Sequence, residues 1–189
     1  MERGSIGRRQ LLRDGLCLGV GLSLAPAVTL GQTDPAARRP QEGDWLVRSG
    51  DASDTPLTPD DIRLGDSQTL VWAMDPTDRT VRRGSRLNLV LLLRLDPEQL
   101  SQQTRSRSAD GIVGYTAICT HTGCEVEEWE PGRRFLQCGC HASAFDPSDG
   151  ARVVDGPAPR ALPALPLKIG EGRLVVAGPF TTRVGFEAV

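Results

Sequence analysis

Cysteine and histidine are concentrated in one short stretch of this 189-residue chain. Both histidines and four of the five cysteines lie there, in the order Cys119, His121, Cys124, Cys138, Cys140 and His141. Thiolates and imidazoles bind soft transition metals, and cysteines outside the reducing cytosol also form disulfides. Each half of the stretch offers thiol and imidazole groups within a few residues, so the spacing predicts two tight loops that present them to a shared metal centre.

Written as C-x-H, sixteen residues, C-x-x-H, with an additional cysteine inside each half, this stretch closely resembles the Rieske iron-sulfur family. The resemblance implies one 2Fe-2S cluster, with Cys119 and Cys138 on one iron and His121 and His141 on the other. Two ferric ions, two sulfides and two thiolates sum to zero charge, so adding an electron meets little repulsion. Potentials of such clusters accordingly lie at about −150 to +300 mV.

The resemblance also pairs the two additional cysteines, Cys124 and Cys140, as a disulfide that ties the two loops together. The alternative is a zinc-binding interaction module, because two cysteines and two histidines also make a tetrahedral zinc site. The one-residue gap between Cys119 and His121 departs from the usual spacing of zinc ligand pairs, and zinc leaves Cys124 and Cys140 without a role.

Several neighbouring residues match or depart from the cytochrome bc branch of the family. Ser143 occupies the position at which high-potential members donate a hydroxyl hydrogen bond to a cluster sulfur, whereas Phe145 replaces a tyrosine whose hydroxyl bonds a ligand sulfur. We therefore expect an intermediate potential. A proline loop that covers the cluster in that branch resembles the run Gly156, Pro157, Ala158 and Pro159. By the same analogy, His141 would contact a quinol or dock on a cytochrome.

The elements that must position these residues are β-strands. The run 111–118 predicts a strand that leads directly into Cys119, and the apolar run 87–93 predicts a strand buried on both faces. The runs 165–169 and 173–177 flank a glycine-containing loop of hairpin length. Helix-start signals, a cap followed by proline and acids, predict short turns at 58–61 and 96–99. These elements predict an all-β, mainly antiparallel fold, and the family resemblance implies a Rieske-type antiparallel β domain with a small cluster-binding subdomain.

The first 33 residues have the layout of an export leader. Residues 1–14 carry four arginines and two acids, and residues 15–33 carry no charge. The run 7–13 resembles the twin-arginine export motif. We expect residues 1–33 to be a twin-arginine signal or a membrane anchor, with membrane association through residues 15–33. Residues 34–42 are expected to be a linker, and residues 43–189 the Rieske domain, with its cluster-binding part at about 115–160.

The remaining composition limits the function. A formal net charge of −2 gives no basic surface for nucleic acid. With both histidines committed to iron, no serine-histidine-acid set can be built, and no phosphate-binding loop of the Walker or dinucleotide type is present.

We expect a periplasmic electron-transfer subunit of a quinol-cytochrome c reductase, with cytochromes b and c as its partners. This subunit is expected to have no independent active site. The alternative is the Rieske small subunit of an arsenite-oxidase-type molybdenum oxidoreductase. Oxygenase-type Rieske proteins usually lack the two additional cysteines and the leader.

Overall fold

The computed structural model describes residues 34–130 and 132–186, and the secondary structure in these ranges is mainly strand. The ten strands are β1 (Trp45–Arg48), β2 (Thr69–Met74), β3 (Val90–Arg94), β4 (Ile112–Thr116), β5 (Glu128–Glu130), β6 (Phe135–Gln137), β7 (Ala144–Asp146), β8 (Arg152–Asp155), β9 (Leu167–Gly170) and β10 (Arg173–Val176). One short helix, α1 (Gln102–Arg105), and four single 3-10 turns, at Pro35–Ala37, Pro59–Asp61, Arg86–Asn88 and Pro97–Gln99, complete the described elements.

The larger sheet has six strands in the order β4-β3-β2-β1-β10-β9, and every pair in it is antiparallel. Its centre is the apolar run that the sequence predicts to be buried on both faces. Leu91 and Leu93 pack into one hydrophobic cluster, whereas Val90 and Leu92 pack into another on the opposite face. Successive side chains of a strand point to opposite faces, so one continuous apolar run serves two cores. The strand begins at Val90, later than predicted, because Arg86–Asn88 forms a 3-10 turn.

Two further strand predictions are confirmed. Strand β4 is buried along its whole length and carries the chain towards Cys119. Strands β9 and β10 form the predicted hairpin, and the two residues between them, Glu171 and Gly172, both have positive φ angles, +50° and +74°. Two-residue hairpin turns favour such angles because their twist matches that of the flanking strands.

The smaller sheet, in the order β5-β6-β7-β8, follows the first cysteine-histidine loop in the chain and carries the second. Its inward residues Leu136 and Phe145 are fully buried in the same hydrophobic cluster as Leu91 and Tyr115 of the larger sheet. The molecule is therefore a β domain with a small subdomain packed on one face of its main sheet, as predicted.

Both predicted helical turns are present. The backbone N–H and the hydroxyl of Thr58 donate to the Asp61 carboxylate at 2.7 and 2.8 Å, which closes the turn Pro59–Asp61. The Asp96 carboxylate accepts the N–H of Glu98 at 3.0 Å at the start of the second turn. Proline at the first helical position fixes φ and sacrifices no internal hydrogen bond in either turn.

Residues 34–42, expected to be a linker, lie against the domain in the structure. The side chain of Asn88 donates to the carbonyl of Arg38 at 2.6 Å, and the N–H of Gly84 donates to the carbonyl of Ala36 at 2.9 Å. Backbone groups that find partners in the domain need no water, so this segment continues the folded unit. The predicted leader, residues 1–33, lies outside the described residues. Within the described ranges, no helix has the length and apolar character needed to cross a membrane.

Candidate metal centre

The first cysteine-histidine loop leaves β4 and closes on itself through backbone hydrogen bonds. The N–H of Cys119 donates to the carbonyl of Cys124 at 2.7 Å, and the N–H of Gly123 donates back to the carbonyl of Cys119 at 3.1 Å. Gly123 has a φ of +81°, in the left-handed region that glycine enters without a steric penalty. The result is a tight turn with the sulfur of Cys119 at its buried base and His121 near its tip.

The second loop, between β6 and β7, has the same hydrogen-bond pattern. The N–H of Cys138 donates to the carbonyl of Ser143 at 2.9 Å, and the N–H of Ala142 donates to the carbonyl of Cys138 at 2.9 Å. Ala142 occupies the left-handed position with a φ of +58°, where a side chain costs about 1–2 kcal/mol. The shared pattern places Cys119 and Cys138 at equivalent positions of two facing turns.

The two thiols of this pair lie in the interior. Cys119 and Cys138 are 0 % and 1 % exposed, belong to the same hydrophobic cluster, and are free of disulfides. Burial raises the pKa of the Cys119 thiol to about 11, whereas the backbone N–H of His121 and the hydroxyl of Ser143 act in the opposite direction and lower it. A buried thiolate needs either such donors or a metal cation to hold its charge.

The two imidazoles lie at the solvent edge of the same centre. The Nδ1 atoms of His121 and His141 are 3.2 Å apart, and the ring planes are almost perpendicular, at 86°. Both rings therefore direct the same nitrogen to one place. His141 is exposed and His121 half-buried, so the far edges of both rings remain open to a partner.

This donor set fits a mixed-ligand iron-sulfur cluster. Two thiols are buried side by side, two imidazoles converge above them, and thiolate and imidazole are the ligands that such a cluster takes. The sulfurs of Cys124, Cys138 and Cys140 also lie within 4.8 Å of one another. Cys124 and Cys140 are joined to each other, so Cys138 alone of these three can act as a thiolate ligand.

A disulfide between Cys124 and Cys140 connects the two loops. These are the cysteines that the family resemblance pairs. The bond closes a segment with a sequence separation of 16, which contains β5 and β6. In the chain-entropy model, a closure of this size stabilises the folded state by about 3 kcal/mol. Disulfides persist in oxidising compartments, in accordance with the expected export.

The run from Gly156 to Pro159 packs directly on the second loop. A Cβ added to Gly156 would lie 2.5 Å from the Cα of Ser143, and the φ of Gly156 is +83°. The N–H of Ala158 donates to the hydroxyl oxygen of Ser143 at 3.1 Å, and Ser143 is fully buried. Ser143 thus accepts a hydrogen bond from this run and also lowers the pKa of the Cys119 thiol, so it connects the proline loop to a candidate ligand.

Three contacts around the first loop were not evident from the sequence. The guanidinium of Arg86 donates to the carbonyl of Gly123 at 2.5 Å. The hydroxyl of Thr120 donates to the carbonyl of Arg160 at 2.6 Å. Phe186 lies beside Gly123. Thr120 could have been noticed because it stands between two candidate ligands, but Arg86, Arg160 and Phe186 are far away in the chain and match no motif.

An antiparallel β domain that presents two disulfide-linked cysteine-histidine loops under a proline-containing cover defines a Rieske-type iron-sulfur protein. The model of the Rieske [2Fe-2S] domain family matches residues 90–166, which include both loops and the proline loop. A cytochrome bc1 complex Rieske iron-sulfur subunit of Streptomyces lividans is 36 % identical over 136 residues, which cover 69 % of this chain and 78 % of that protein. The chain belongs to the Rieske iron-sulfur family, and its cofactor is one 2Fe-2S cluster.

Other relatives vary in how much of their length is shared. The cytochrome bc1 complex Rieske iron-sulfur subunit of Streptomyces coelicolor is 34 % identical over 95 % of this chain, which spans about half (53 %) of that protein. A putative respiratory nitrate reductase subunit Rieske of Haloferax mediterranei is 49 % identical over 76 residues, 40 % of this chain and 34 % of that protein. The soluble domain of the Rieske protein II (soxF) of Sulfolobus acidocaldarius has a TM-score of 0.42 and 22 % identity, and covers 53 % of this chain and 65 % of that chain.

Proposed function

We propose that this protein transfers single electrons through its 2Fe-2S cluster, as the iron-sulfur subunit of a quinol-cytochrome c reductase of the cytochrome bc1 type. Cys119 and Cys138 hold one iron, and His121 and His141 hold the other. The observation that carries the proposal is the pair of equivalent turns, which bury two thiols and converge two imidazole nitrogens at the surface.

The chain's own residues define how such a centre works. When bound, the cluster supplies a one-electron couple. The buried thiols keep water away from one side of the centre, and the disulfide with the proline loop keeps the two turns in fixed positions. The exposed edge of His141 is the contact point for a quinol or a cytochrome. An imidazole nitrogen that is not bound to iron can lose and regain a proton, so electron transfer through His141 is coupled to proton transfer.

The place of action follows from the same proposal. Residues 1–33 act as a twin-arginine signal or membrane anchor, and the domain lies in the periplasm or on the periplasmic face of the inner membrane. The disulfide supports this location because the cytosol keeps thiols reduced. The curated bc1 relatives support cytochromes b and c as partners.

The decisive test is the EPR spectrum and metal content of the purified protein after reduction. A histidine-ligated 2Fe-2S cluster gives a rhombic signal distinct from that of all-cysteine clusters, with two irons per chain. His141→Ala should abolish this signal, whereas Thr122→Ala, at an exposed position of the first loop that is not a candidate ligand, should retain it. Colourless protein without iron, or a His141→Ala variant with an unchanged spectrum, would refute the ligand assignment.

A second candidate is the Rieske subunit of another oxidoreductase, such as a molybdenum enzyme of the arsenite-oxidase type. It is favoured by the 49 % identity over 76 residues to a protein named as a subunit of a putative respiratory nitrate reductase. Affinity purification from native membranes separates the two candidates. Co-purification of a cytochrome b supports the first, and co-purification of a large molybdopterin-containing subunit supports the second.

A further inference from the structure

Phe186, in the segment 184–186, lies against the first ligand loop. A Cβ added to Gly123 would come within 2.9 Å of a ring carbon of Phe186. The ring therefore occupies the space beside the Gly123 Cα and excludes a side chain there. Phe186 is 46 % exposed, so roughly half of its surface is buried against the domain. Because this burial of apolar surface is lost when the loop moves, the contact stabilises the observed position of the loop.

Hydrogen bonds connect this segment and the loop to the same residue, Arg160. Arg160 donates through Nη2 to the carbonyl of Gly185 at 2.5 Å, and its own carbonyl accepts the hydroxyl of Thr120 at 2.6 Å. On the other side, Arg86 donates to the carbonyl of Gly123 at 2.5 Å. The first loop is thus attached to the segment directly, through the ring of Phe186, and indirectly, through Arg160.

The second loop is supported differently. Its Ser143 is in contact with Gly156 of the proline loop, and its Gly139 faces the carboxylate of Glu128. The two turns share one internal hydrogen-bond pattern but have separate external supports. A perturbation of Phe186 should therefore reach the first turn and leave the second unchanged.

We infer that residues 184–186 form a clasp that positions the first ligand loop, with Phe186 as its positioning residue. The clasp acts through Gly123 and Thr120 on Cys119 and His121. As far as it concerns cluster ligands, this inference rests on the proposed function. Its physical content, a restraint on one loop by one aromatic ring, does not depend on the cluster.

Hydrogen-deuterium exchange of the full chain tests the clasp directly. The amide of Gly123 is protected by its bond to the Cys119 carbonyl, and the amide of Ala142 by the equivalent bond in the second loop. Phe186→Ala should speed exchange in a peptide containing residues 119–124 by about fivefold, because half-burial of a ring is worth about that factor in a local opening equilibrium. Exchange in a peptide containing residues 138–143 should not change. Phe186→Tyr, which keeps the ring, should restore protection.

The control is Ile169→Ala, which truncates a similarly exposed apolar side chain (47 %) on β9. In iron-loaded protein, Phe186→Ala should also broaden the EPR signal and accelerate bleaching by a chelator, whereas Ile169→Ala should do neither. Equal exchange of the first loop in Phe186→Ala and wild type would overturn the clasp, as would an equal acceleration in both loops. Absence of iron from the wild type would refute the proposed function alone, because the exchange result still decides the clasp.

Discussion

At the scale of single residues, Ser143 matters most among the residues that are not candidate ligands, because its hydroxyl acts on the thiol of Cys119. Its hydroxyl lowers the pKa of the Cys119 thiol and accepts the N–H of Ala158 at 3.1 Å, in a fully buried position. A donor to a ligand sulfur stabilises the reduced, more negative state of the centre, which raises its midpoint potential. The hydroxyl therefore has both an electrostatic and a structural role.

We predict that Ser143→Ala lowers the midpoint potential by tens of millivolts, since one hydrogen bond of about 1 kcal/mol corresponds to about 40 mV for one electron. It should also reduce the free energy of unfolding by about 1–3 kcal/mol, because the N–H of Ala158 loses its partner. Redox titration followed by EPR and urea unfolding measure the two effects. Ser148→Ala, which removes a hydroxyl bonded to Asp146 at 2.6 Å, should leave the potential unchanged. A shift of equal size in both variants would contradict this role.

Whereas Ser143→Ala removes a hydroxyl near the candidate ligands, Phe145→Tyr adds one. Its ring is fully buried in the same hydrophobic cluster as Cys119 and Cys138. If the hydroxyl of Phe145→Tyr bonds a ligand sulfur, the midpoint potential should rise by about 40 mV. If it finds no partner, a buried hydroxyl should cost about 1–3 kcal/mol of stability without raising the potential. We expect the first result, and redox titration together with urea unfolding of the same variant separates it from the second.

At the scale of elements, the backbone of the proline loop packs closely against the backbone of the second ligand loop. The Cα of Gly156 leaves no room for a methyl group, which would lie 2.5 Å from the Cα of Ser143, and its φ of +83° is unfavourable for any L side chain. Gly156→Ala should therefore move this loop away from the second ligand loop and weaken the bond between Ala158 and Ser143.

The expected result of Gly156→Ala is a loss of about 2–4 kcal/mol in the free energy of unfolding, combining backbone strain with overpacking, and faster loss of iron to a chelator. Gly172→Ala is a matched control, because Gly172 also has a positive φ, +74°, but has open space around its Cα. Gly172→Ala should lower the free energy of unfolding through backbone strain but should not speed the loss of iron. Similar iron loss in the two variants would indicate that the proline loop does not protect the second ligand loop.

The elements show how far the sequence alone can be interpreted. The central strand, the hairpin β9-β10 and both proline-started turns were predictable because apolar periodicity and turn chemistry act over neighbouring residues. The predicted start of this strand at residue 87 was too early, because Leu87 and Leu89 extend the apolar run although Arg86–Asn88 forms a 3-10 turn. The contacts of residues 34–42 with the domain, and those of Arg86 and Phe186 with Gly123, join distant parts of the chain, so no local pattern encodes them.

At the scale of the whole molecule, the small sheet must remain fixed on the main sheet for the centre to persist. Apart from the shared core, hydrogen bonds cross this junction. The hydroxyl of Tyr115 on β4 donates to the carbonyl of Pro147 at 2.8 Å, and the N–H of Gly150 donates to the hydroxyl of Thr104 at 2.8 Å. The turn between β7 and β8 is therefore bonded to the main sheet through the carbonyl of Pro147 and to helix α1 through the N–H of Gly150.

Tyr115 makes this junction sensitive to alkaline pH. It is 1 % exposed, and burial raises its pKa above the ordinary value of about 10. Below pH 10 the phenol is protonated in both the folded and the unfolded chain, so its ionisation does not affect stability. Above pH 10 the unfolded chain loses this proton and the folded chain keeps it. Ionisation then favours unfolding by up to about 1.4 kcal/mol for each further pH unit.

We therefore predict that Tyr115→Phe is less stable than wild type by about 1–2 kcal/mol at neutral pH, because the buried carbonyl of Pro147 loses its donor. As the pH rises above about 10, this difference should shrink and then reverse, because the variant has no phenol to ionise. Urea unfolding across this pH range measures the difference. Since Tyr115 is the chain's single tyrosine, the absorbance of its phenolate reports the same titration directly. A phenolate signal that develops near pH 10 in the folded protein would show that the hydroxyl is not held at the junction.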